Sequence, residues 1–146
     1  MARYSAGGLT TAGSTVLPVI SLYSAAAVGA KIREIGVTNT TSTAVSLELV
    51  RMTTAGTPGA GLTAGKHDTE SAAASCTPFN THTAGNPTLS DLGYRTQLGA
   101  AVGAAFVWTF WSDTGLRIPV GVSNGIGVIV ESGTGQALQA YIVWDE

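Results

Sequence analysis

Apolar and polar side chains alternate along this chain with a period close to two, and no segment holds a helical period through three turns. Ala44–Thr53 shows it most cleanly. Val45, Leu47 and Leu49 fall on one side and Ser46 and Glu48 on the other, the mark of a half-buried strand. Gly125–Glu131 repeats the pattern with Ile126, Val128 and Val130 inward. Ala137–Trp144 does so with Leu138, Ala140, Ile142 and Trp144. Lys31–Asn39 places Arg33, Ile35 and Val37 on one face, and Gly93–Leu98 keeps Tyr94, Thr96 and Leu98 in phase. Val16–Tyr23 is apolar but contains Pro18, which predicts an edge strand. Ala105–Trp111 is apolar on both faces, which predicts a central strand covered on both sides. Leu116–Ile118 is a short strand ending at Pro119.

Turn residues separate these segments. Asn39–Thr43 and Ser112–Gly115 read as turns, and Ser132–Gly135 as a tight hairpin-type turn. Thr54–Thr69 and Phe79–Ser90 read as long surface loops, the kind of element that makes contacts. Ser71–Cys76 reads as either a short strand or one helical turn. Met1–Ser14 has no period and is Gly- and Ser-rich, so an extended N-terminal arm is expected before a single domain over residues 15–146. About eight strands at turn-marked spacing predict an all-β fold, a single antiparallel β-sandwich or jelly roll.

Composition sharpens this. The chain has 146 residues, enough for one domain with a real core. Its 19 glycines disfavour helix. Only 11% of residues are charged, against about 25% in an ordinary soluble domain. A surface so poor in charge suits a protein covered by neighbouring subunits. The seven Lys and Arg are scattered and the net charge is -2, which argues against nucleic acid as a partner. The start, Met-Ala-Arg-Tyr-Ser, carries no apolar stretch of a signal peptide, and no run approaches the ~20 residues of a membrane helix. Synthesis in the cytoplasm with no membrane partner is the expectation.

The candidate chemistry is thin. Gly65-Lys66 ends a near miss to a phosphate loop: Ala60 stands where the first Gly is needed, and His67 where Ser or Thr would hold magnesium. Cys76, His82 and Asp91 could be arranged as a thiol triad, but Cys76 has no basic neighbour in sequence to activate it. His67, Asp68 and Glu70 are too few for a hard-cation loop, and the spacing of His67 and His82 matches no zinc signature. The nine acids are dispersed, unlike a glycosidase pair. No catalytic residue, cofactor or metal is expected, and the chain reads as a non-enzyme. As the lone cysteine, Cys76 excludes an internal disulfide and leaves an intermolecular one as a candidate. Trp108 and Trp111 are three apart in one strand, so one must leave the core. Trp111 is therefore a candidate contact residue, together with Arg3, Tyr4 and Leu9 of the expected arm.

Asn39–Val45, Leu49–Thr63, Gly115-Leu-Arg-Ile-Pro119, Asn124–Val130 and the ending Tyr141-Ile-Val-Trp-Asp-Glu146 resemble small virion proteins of tailed phages. The likeness covers most of Lys31–Glu146. It implies a β-sandwich or jelly-roll subunit that decorates and stabilises the capsid. Its partners would be other copies of itself, as a homotrimer, and the major capsid protein, and its location the virion. Neck, collar or fibre components are the alternative within that resemblance, and a carbohydrate- or receptor-binding sandwich is the alternative outside it. The family shares no catalytic motif, so no site residue carries over.

Overall fold

Strands form where alternation is strongest, and their pairing explains most of the rest. The structure, a computed structural model, describes residues 1–111, 113 and 115–146. Its strands are β1 (Arg3–Leu9), β2 (Ile20–Tyr23), β3 (Ala30–Asn39), β4 (Val45–Met52), β5 (Gly65–Lys66), β6 (Thr77–Asn80), β7 (Leu89–Leu98), β8 (Ala105–Thr109), β9 (Arg117–Ile118), β10 (Gly125–Ser132) and β11 (Leu138–Asp145). The first sheet runs β5-β1-β11-β3-β8, with β9 also on β3; the second runs β6-β2-β10-β4-β7. All pairings are antiparallel. The chain alternates between sheets so that β1-β11-β3-β8 faces β2-β10-β4-β7. That is jelly-roll connectivity, with β5, β6 and β9 as short additions.

The core lies between the sheets. One wall is Tyr4, Ala6, Ile32, Ile35, Val37, Trp108 and the whole inward row of β11. The facing wall includes Ile20, Leu22, Val45, Leu47, Leu49, Ile126, Val128 and Val130. The register contains one informative irregularity. Val143 pairs with Glu34 but Trp144 pairs with Ile32, so Arg33 is an extra residue in β3. This bulge turns both Ile32 and Ile35 inward although they lie three apart, and it takes Arg33 off the face of Ile35 and Val37. Arg33 instead reaches Asp145. The Asp145 carboxylate, 5% exposed, also accepts from Arg3 Nε at 2.8 Å, so one side chain pins β1, β3 and β11 together. Burial pushes this carboxyl up, but the two guanidiniums outweigh it and hold it below the usual carboxylate range.

Several sequence expectations are corrected. Met1–Ser14 is not a free arm: Arg3–Leu9 is extended but paired along its whole length with β11. Val16–Tyr23 does not make an edge strand, because β2 starts after Pro18 and sits between β6 and β10. Ala105–Trp111 is not central: β8 is an outermost strand of its sheet. The turn at Ser132–Gly135 joins strands in opposite sheets, so it is not a hairpin. Ser71–Cys76 forms neither strand nor helix, and β6 follows it. The long loop over residues 54–69 lies at the surface as expected, with none of its residues buried, but both long loops carry strand residues: Gly65–Lys66 is β5, and Phe79 and Asn80 belong to β6. The stretch between β4 and β7 folds down along one side of the sandwich, where β5 adds to β1 and β6 adds to β2. Of the turn expected at Ser112–Gly115, Ser112 and Thr114 lie outside the described residues.

Two measurements test this reading. Gly133 has φ +72°, and a Cβ there would lie 2.2 Å from the Ala44 carbonyl oxygen, whereas Gly135 has φ +93° with open space around it. In urea unfolding Gly133→Ala should lose about 1–3 kcal/mol from conformation plus overlap, and Gly135→Ala less, from conformation alone. Asp145→Asn should cost about 1–3 kcal/mol at neutral pH. A depressed folded pKa gives stability above the unfolded value that is lost as pH falls, so the gap to the native chain should close below about pH 4.

Candidate functional site

A sandwich has two open sides, and this one closes only the first. The outermost strands are β5, β8 and the two-residue β9 in one sheet and β6 and β7 in the other. β5 is two residues long and ends in Lys66. β6 contains Pro78 and is covered by its own loop, where Leu62 donates to the Pro78 carbonyl and Asn80 to that of Ala60, both at 2.9 Å. β7 carries charge. Arg95 meets Glu48, Asp91 and Glu131 at 2.9–3.3 Å, and the pairing with β4 slips around Gly93, which has φ +75°. Short length, proline, charge and bulges are the usual guards against stray edge pairing. β8, with the sequence Ala-Phe-Val-Trp-Thr, has none of them.

Five of the exposed large apolar residues lie on that unguarded side; Met1, Leu9, Val16, Val120, Val122 and Tyr141 are exposed elsewhere. Trp111 is 85% exposed and Val102 73%, and Tyr94, Phe106 and Val107 are each exposed by 40% or more. Trp108 is buried within β8, whereas Trp111 lies two residues beyond its end, so only one of the two tryptophans serves the core. Tyr94 meets the Phe110 ring edge-on at 5.4 Å, and Phe106 meets Trp108 at 5.2 Å. A groove of about 640 Å³ lies beside Trp111, lined by Arg51, Tyr94, Phe110, Leu116 and Arg117 among others. Arg51 is fixed there by donating to the Arg117 carbonyl at 2.8 Å. The surface can bury apolar area and offer backbone hydrogen bonds, which is the chemistry of association.

Other candidate residues lie elsewhere. Tyr4 is 2% exposed, stacked on Trp144 at 5.8 Å with its hydroxyl donating to the Ala72 carbonyl, so it belongs to the core and not to a contact surface. Arg3 is half exposed but committed to Asp145. Leu9 is exposed at the end of β1, away from β8. Cys76 is 3% exposed, and its thiol faces the Val28 carbonyl while its N–H donates to Glu146 at 2.9 Å. Burial, then the Glu146 charge, push the thiol up to about 12. A disulfide between copies would require this segment to leave the core.

His82 is buried against Ser21, with Nε2 at 3.0 Å from the hydroxyl, and burial lowers its pKa. Its other nitrogen has no partner, and Ser21 is itself buried, so the pair meets no solvent. Asp91 is engaged with Arg95, far in role from either Cys76 or His82. Among the described residues no three His, Cys, Asp or Glu side chains come together as a metal site. Among the described residues no helix is long and apolar enough to cross a membrane. The cluster around Arg95 gave no sequence signal, because its members come from three strands.

No family model matches the chain, and no curated protein matches it. Among solved structures it is similar to a virus-like particle of the extra small virus of the giant freshwater prawn Macrobrachium rosenbergii, determined by cryo-EM. The TM-score is 0.28 at 7% identity, over 99% of this chain and 80% of that one. A score that low carries no argument about this chain.

The Cys76 environment makes a direct prediction. The thiol should resist a water-soluble maleimide in the folded protein and label within minutes in denaturant; rapid labelling of the folded protein would contradict the burial described.

Proposed function

We propose that this chain is a non-enzymatic structural subunit of a tailed-phage particle, a decoration or head-stabilising protein that binds the assembled capsid together with other copies of itself. The observation that carries the reading is the β8 side, where the strand itself has no charged residue and Trp111, Val102, Phe106 and Val107 are exposed, on a chain with only 11% charged residues. A freely diffusing monomer would leave that surface open to unselective association. The phrases that resemble small phage virion proteins supply the kind of particle, and a homotrimer with the major capsid protein as partner is what that resemblance implies. The jelly roll is compatible with the reading, since capsid and lectin domains both use it, but a fold does not choose a function.

One observation favours a second reading, a carbohydrate- or receptor-binding module. Trp111 and Tyr94 stand beside Arg51 and Arg117 in one groove, a stacking surface with nearby donors.

Cosedimentation with emptied phage heads separates the two. Binding at a fixed ratio to the capsid protein, weakened at least about tenfold by Trp111→Ala, is the expected result. A few copies per particle would place the chain at the neck or collar. No particle binding, with glycan retention that Trp111→Ala abolishes, would replace the structural reading by the second.

A further inference from the structure

We infer that β8 pairs antiparallel with β8 of a second copy of this chain, about a two-fold axis through Val107. The inference goes beyond the particle reading and departs from the homotrimer that the phage resemblance implies, because it names a two-fold contact by which two copies meet.

The hydrogen-bond phase of β8 fixes where the axis can lie. Phe110 donates to the Arg33 carbonyl, and Asn39 donates to that of Ala104, so the even-numbered residues of this segment turn their backbone toward β3. In an antiparallel ladder the N–H and C=O of one residue point the same way. The backbone groups of Ala105, Val107 and Thr109 therefore face outward, and among the described residues none has a partner. Two copies can exchange bonds only if outward-facing residues lie opposite each other. An axis through Val107 does this over the whole strand: Val107 faces Val107, and Ala105 faces Thr109. At two bonds per facing pair that is about six hydrogen bonds.

The side chains agree with that register. The strand has no charge and no proline, so no like charges meet across the axis. Phe106 comes opposite Trp108 of the second copy, on the face that continues the core wall. Continuing the same register past the strand ends brings Trp111 toward Gly103 and Val102 of the other copy. These are the most exposed aromatic and the most exposed aliphatic residue of this side, and the axis sets one on the other twice. A self-complementary patch of this kind is what a two-fold interface requires. The other outermost strands do not offer it: β5 ends in Lys66, β6 holds Pro78 under its own loop, β7 carries Asp91 and Arg95, and β9 is two residues long and begins with Arg117.

The test is the mass of the purified chain by sedimentation velocity across a dilution series, with Val107→Lys beside the native sequence. Position 107 is exposed, and its N–H makes no bond to β3, so the lysine should leave the fold intact while setting two positive charges opposite each other at the axis. The native chain should be a dimer, and Val107→Lys should raise the dissociation constant at least about tenfold. Amide exchange supplies the second readout. Ala105, Val107 and Thr109 should be slow in the dimer and fast in Val107→Lys, while Phe106 and Trp108 stay slow in both and report an intact β3–β8 ladder. A monomer at every concentration, a trimer, or a dimer indifferent to Val107→Lys would overturn the inference. Head binding by Val107→Lys is scored separately: loss of self-association with head binding retained upholds the dimer surface and the particle role as distinct, and absence of head binding by the native dimer leaves the surface standing and removes the particle role.

Discussion

The whole architecture depends on the last two strands being accepted into the middle of the two sheets. β11 lies between β1 and β3, and β10 lies between β2 and β4. The inward rows of these two strands, Leu138 to Trp144 and Ile126 to Val130, form the centre of the core, and nearly all of their side chains are fully buried. Neither sheet is continuous without them. Pairings that join the two ends of the chain are entropically late, so folding is expected to be slow and cooperative. The Asp145 carboxylate adds direction to this closure, because it draws β1 and β3 onto β11 by charge where the apolar row alone would permit sliding.

The sequence displayed the fold well where the inward row of a strand is apolar at every second position, although the other face is not wet throughout, since Glu48, Val50 and Ile129 are buried as well. β4, β10 and β11 lie within a residue or two of the alternating segments, with the inward residues as read. β1 was not legible because its inward positions are Tyr4, Ala6 and Gly8, too small a signal beside the Gly-rich neighbours; only the presence of β11 makes it a strand. The bulge at Arg33 was hidden for a related reason, since a period of two cannot show an extra residue that depends on the partner strand. In β8 the composition was read correctly and the cause was not. Apolar residues on both faces predict cover on both faces, and the cover expected was more of the same chain. The structure instead leaves the strand outermost.

The candidate site was legible in part. The parity of Trp108 and Trp111 already required one of them to leave the core, and it is Trp111 that does, although it lies two residues beyond the end of β8. What no reading of spacing could supply is which edge is guarded. That depends on the stretch between β4 and β7 folding against β1 and β2, and on Arg95 gathering carboxylates from β4, β7 and β10. Tyr4 and Cys76 were misplaced by the same limitation, because segments without a period gave no hint that they pack against Trp144, Val28 and Glu146.

The strip of β5, β6 and their loop has a consequence best stated in the language of polymerisation. A monomer with two adhesive ends grows into a fibre, whereas one with a single adhesive end stops at the first coupling. By sealing the side that holds β1 and β2, this insertion makes the molecule monofunctional in that sense. Backbone stickiness on the remaining side can then be strong without the hazard of unlimited growth, and the size of any assembly is decided by other surfaces.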